Sequence, residues 1–84
     1  MSTEVFVYVT GELPCSIDEL EDLVDDALAG RGEVTGSGVG KISFNIDIRL
    51  NADSDVKTEL SRLRQVLASA GISESATRID VHPA

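Results

Sequence analysis

Residues Lys41 to Leu50 alternate without a break. Ile42, Phe44, Ile46, Ile48 and Leu50 are apolar, and Ser43, Asn45, Asp47 and Arg49 are polar. Successive side chains of an extended chain point to opposite sides, so this segment reads as a strand with one dry face and one wet face. Strands of that kind belong to antiparallel sheets, and the dry face needs a covering layer. An 84-residue chain makes one domain, so that layer has to come from the same chain. Cys15 is the only cysteine, which excludes an internal disulfide and argues against a cysteine-based metal site. It also fits a reducing, cytoplasmic setting.

Two segments supply the cover. Ser16 has the character of an N-cap, with Glu19 three residues on as its capping-box partner, and Gly30 is a favoured residue just past a helix end. Between them, Ile17, Leu20, Leu23, Val24, Ala27 and Leu28 form one stripe at helical spacing, and Asp18, Glu21, Asp22, Asp25 and Asp26 take the opposite side. A second stripe runs through Val56, Leu60, Leu63, Val66, Leu67 and Ala70, after a cap expected at Asp53 or Ser54. It stops at Gly71, where Ile72 is set for a Schellman-type contact.

Three further strands are expected. Glu4–Val9 and Thr77–Val81 alternate, the latter with Ile79 and Val81 inward and His82–Ala84 as a tail. Glu33–Thr35 starts a short strand, and residues 36–40 read as a glycine loop before Lys41. The order β-α-β-β-α-β predicts a single ferredoxin-like domain over residues 1–84: a four-stranded antiparallel sheet in order 4-1-3-2, with two helices on one face. The other face is left open. With Val5, Val7 and Val9 inward, Phe6 and Tyr8 point to that open face, where exposed aromatics mark a candidate contact surface or homodimer interface.

Charge narrows the function classes. The net charge is −8. From Gly11 to Thr35 stand Glu12, Asp18, Glu19, Glu21, Asp22, Asp25, Asp26 and Glu33 against Arg31 alone, whereas acids and bases balance from Gly36 onward. Such a surface repels nucleic acid and attracts a basic partner. The N-terminus has no basic region before an apolar run, and no segment has about 18 consecutive apolar residues. Neither a signal peptide nor a membrane span is expected.

Chemical motifs fail on physical grounds. Residues 35–43 superficially match a phosphate loop, but a strand follows the glycines where a helix N-terminus is required. Cys15 is followed by four carboxylates within two turns, which oppose a thiolate. Asp18, Asp22 and Asp25 share a helix face, yet calcium loops alternate their oxygens around a tight glycine turn. His82 is the sole histidine, on the expected tail. No catalytic residue, cofactor or metal ion is therefore expected.

The stretch Gly32-Glu33-Val34-Thr35-Gly36-Ser37-Gly38-Val39-Gly40, followed by Asn45-Ile46-Asp47-Ile48, resembles small bacterial ferredoxin-like proteins. Some of these are similar to immunity proteins, which neutralise a toxin by direct contact. The resemblance implies a stoichiometric binder without catalysis and assigns no residue a role. The charge pattern places partner contacts at Asp18, Glu21, Asp22 and Asp25, and the open face adds Phe6 and Tyr8. The alternative is a small-molecule regulatory domain of the amino-acid-sensing type, with Gly11–Ser16 lining its site.

Overall fold

A computed structural model describes residues 2–83. In chain order it contains β1 (Thr3–Thr10), α1 (Ile17–Leu28), β2 (Gly32–Val39), β3 (Ser43–Leu50), α2 (Val56–Ser69) and β4 (Thr77–Pro83), with one 3-10 turn over Glu74–Ala76. The strands form a single antiparallel sheet in order β2-β3-β1-β4. This is the ferredoxin-like arrangement that the element order predicts.

The core follows from the two alternating central strands. Val5, Val7 and Val9 stand opposite Ile48, Ile46 and Phe44, and all six are buried. Leu20, Val24 and Leu28 of α1 and Leu63 and Leu67 of α2 close over them. At the start of α1, the Ser16 hydroxyl accepts from the Glu19 N–H at 3.1 Å, which makes Ser16 the expected N-cap; the reciprocal Glu19 carboxylate bond of a capping box is not formed among the described residues. At the end of α2, Ile72 N–H reaches Leu67 O at 2.9 Å and Gly71 N–H reaches Ala68 O at 3.0 Å. These are the paired bonds of a Schellman motif, and Gly71 adopts the positive φ (+89°) that the motif demands.

Several expectations need correction. Of residues 36–40 only Gly40 lies in a loop: β2 continues to Val39, with Gly36 opposite Asp47 and Gly38 opposite Asn45. The ladder with β3 pairs backbone groups whatever the side chain, so glycines give no strand signal in sequence yet extend the strand. A shift of register falls between Val34 and Gly36. β3 starts at Ser43, because Gly40–Ile42 forms the hairpin turn, and Ile42 is 73% exposed. The N-cap position of α2 is Asp55 and not Asp53 or Ser54, and its side chain makes no bond to the helix N–H groups. The Ser54 hydroxyl is already committed to Arg31 O at 2.7 Å. His82 and Pro83 are no tail; they pair with Glu4 and Thr3. Leu23 and Val81 point as expected but remain 45% and 40% exposed, because each lies at the rim of the covered layer.

Candidate functional site

The acidic face of α1 is built by the same periodicity that buries Leu20, Val24 and Leu28. Asp18, Glu19, Asp22, Asp25 and Asp26 are exposed, and Glu21 is half-buried. All the ion pairs among the described residues involve other carboxylates: Arg31 and Arg62 with Glu59, Arg49 with Glu4, Arg64 with Glu74, and Arg78 with Asp80. The α1 carboxylates are left uncompensated. Two of the four expected contact residues are nonetheless engaged within the chain. Asp25 Oδ1 accepts from the Val34 N–H at 3.1 Å, and Glu21 accepts from the Ser37 hydroxyl. Asp18 and Asp22 have no such bond among the described residues. α1 thus lies against β2 through two of its acids and offers the others to solvent.

The open sheet face carries the other two expected residues. Tyr8 is 38% exposed and sits between Asn45 and Arg78, whose guanidinium carbon lies 4.6 Å from the ring centre. Phe6 sits between Asp47 and Asp80 and is half-buried. The His82 ring packs on it at 5.3 Å, tilted by 60°. Gly36 and Gly38 continue these two rows onto β2 without side chains. A shallow depression therefore lies beside Tyr8, floored by Gly38 and Gly40 and walled by Asn45 and Ser43. The acidic helix and this face are on opposite sides of the sheet, so the six expected contact residues form two separate surfaces.

The β1–α1 loop is less suited to a small-molecule site. Leu13 and Cys15 pack against the core, and the Gly11 N–H is tied to Ile42 O at 2.6 Å. Among the described residues no three His, Cys, Asp or Glu side chains are placed to share a metal ion. No helix among them is long and apolar enough to cross a membrane.

The residue that sequence reasoning missed is Glu59. It is 2% exposed in the α2 interface, with Oε1 bonded to Arg31 Nε at 2.5 Å and Oε2 unpartnered. The signal was available: Glu59 lies on the apolar stripe, between Val56 and Leu63. Arg31 is the junction of that end of the molecule. Its guanidinium also donates to Ala27 O at the end of α1, and its carbonyl accepts from Asn51 N–H and the Ser54 hydroxyl.

Comparison with known proteins bears on the fold alone. No protein-family model matches the chain, and neither does any curated protein. Among solved structures, it is similar to a formyltetrahydrofolate deformylase from Pseudomonas putida KT2440, at a TM-score of 0.61 and 14% identity. All of this chain is covered, but it spans only 29% of that enzyme's length. It is also similar to a protein assigned as a transposase from Deinococcus radiodurans R1. There the TM-score is 0.58 and the identity 8%, with 95% of this chain and 77% of that one covered. Two proteins of such different description share one backbone arrangement, as is usual for a widely reused fold.

Proposed function

We propose that this chain is a non-catalytic protein-binding module that recruits a basic partner through the exposed face of α1, as a stoichiometric inhibitor or immunity protein does. One observation carries this reading: none of the clustered α1 carboxylates has a cationic partner among the described residues, whereas Glu4, Glu59, Glu74 and Asp80 elsewhere do. A face of one sign with no internal compensation raises the local concentration of an oppositely charged partner and accelerates its capture. Asp18 and Asp22 are the strongest candidates for contact, since neither bonds within the chain. Glu21 and Asp25 divide their role between holding β2 and shaping the field.

The test compares two variants of equal net charge. Asp18→Lys/Asp22→Lys reverses the centre of the face, and Asp53→Lys/Glu74→Lys reverses two exposed acids elsewhere. Affinity capture from the native host is run with each and with the wild type. The expected result is a basic partner held by the wild type and the control pair and lost from the α1 pair. Equal recovery by both variants, or no basic partner at all, overturns the reading.

A further inference from the structure

We infer that two copies of this chain join through the outer edges of β4, antiparallel and centred on Ile79, to make one continuous sheet. The two sheet edges differ sharply. At β2 the edge is closed: Asp25 caps the Val34 N–H, Glu21 holds Ser37, and the register slips between Val34 and Gly36. Capping acids and a bulge are the devices that stop a strand from pairing with another chain. β4 has neither. It pairs with β1 from Thr77 to Pro83 without a shift, and no described side chain bonds to the backbone of Arg78–Pro83. Its helix-facing side is also incompletely covered. Val81 is 40% exposed and Ile79 half-buried, and a groove lined by Leu67, Ala68, Ile72, Thr77 and Ile79 runs beside them under α2.

Charge identifies the occupant as a second copy. When Ile79 faces Ile79 of the second copy, Arg78 falls opposite Asp80 of that copy, and Asp80 opposite its Arg78. The same register sets Val81 against Thr77 on the helix side. Moving the centre to Arg78 puts two guanidiniums face to face, and moving it to Asp80 does so with two carboxylates. Only the Ile79-centred arrangement is self-complementary among these neighbours, and opposite charges directly across a strand pair are the favourable case. The long-range field agrees. α1 lies on the β2 side, so joining at β4 sends the two acidic faces to far ends of the sheet. The β2 strands are then seven spacings, or roughly 34 Å, apart at the usual strand spacing, several times the Debye length of about 8 Å in physiological salt. The pairing also leaves the α1 face free, so it stands independently of the partner proposed above.

The test is sedimentation equilibrium on the full chain over a concentration series, with circular dichroism confirming that each variant is folded. Arg78 and Asp80 are exposed or half-exposed, so their reversal leaves the core untouched. The wild type is expected to dimerise. Arg78→Asp and Asp80→Arg should each raise the dimer dissociation constant about tenfold or more, because each sets like charges against each other. The double swap R78D/D80R should restore dimerisation. A mixture of the two single variants should form a heterodimer that neither forms alone. A wild type that stays monomeric throughout overturns the inference. So does a dimer that tolerates both single reversals but is lost with Tyr8→Glu, which would move the contact to the open face.

Discussion

At the scale of single residues, Glu59 and Arg31 are the most consequential pair. A carboxylate almost wholly withdrawn from water depends on its near cation: Arg31 bonds Glu59 at 2.5 Å while Arg62 stands off at 3.9 Å, so removing Arg31 leaves the charge largely stranded. Arg31→Ala should therefore destabilise the fold by about 3 kcal/mol, the lower end for broken buried pairs because Arg31 itself is partly exposed. Urea unfolding reads this directly. Glu59→Met in the same background should recover most of the loss, since a well-packed apolar side chain removes the stranded charge. Asp55 offers a pH-linked test. The Thr58 hydroxyl bond, at 2.8 Å, holds its carboxyl below the ordinary value of 3.8. The stabilising contribution is therefore present above that value and is lost as pH falls through the lower folded-state value. A carboxyl-detected NMR titration should find Asp55 titrating low, and Thr58→Ala should move it back up. Sequence periodicity could locate Leu20 or Ile46 in the core because it reports direction. It could not foresee that Val81 and Leu23 point as expected and stay wet, because coverage depends on where the neighbouring element ends.

Individual elements show the same division. α1 is legible from end to end, since its cap, stripe and stop all lie within the segment itself. β3 is legible too, apart from its first turn. β2 is not, because Gly32, Gly36 and Gly38 carry no side-chain preference, and the strand exists through its ladder with β3. The glycines nevertheless differ from one another. A Cβ at Gly32 would sit 2.6 Å from the Arg49 carbonyl oxygen and 3.1 Å from Leu50 Cδ2, so the backbone itself would have to move. Gly32→Ala should cost about 1–3 kcal/mol, as overpacking does. At Gly36 the nearest atom is Asp47 Oδ2 at 3.4 Å, an ordinary contact, and φ is not positive. Gly36→Ala should therefore gain about 0.4–1 kcal/mol by restricting the unfolded chain. Thermal unfolding of both variants reads the contrast, and equal effects would contradict the assigned register of β2.

For the whole molecule, the decisive property is how charge is distributed over a common fold. The sheet order could be read in advance from element order and handedness, because few topologies connect two such β-α-β units. The acidic surface was equally visible, since it is the reverse of the apolar stripe that packs α1 down. What sequence could not supply was the use of Glu21 and Asp25 to close the β2 edge, because that contact joins residues on separate elements. The central claim is that the remaining α1 carboxylates form an uncompensated negative field. Proton relaxation enhancement by a cationic and by a neutral nitroxide, compared residue by residue, measures that field without any partner. The cationic probe should accumulate several-fold over the neutral one around Asp18, Asp22 and Asp26 and show no such excess around Arg62 and Arg64. Equal enhancement by the two probes along α1 would contradict the account.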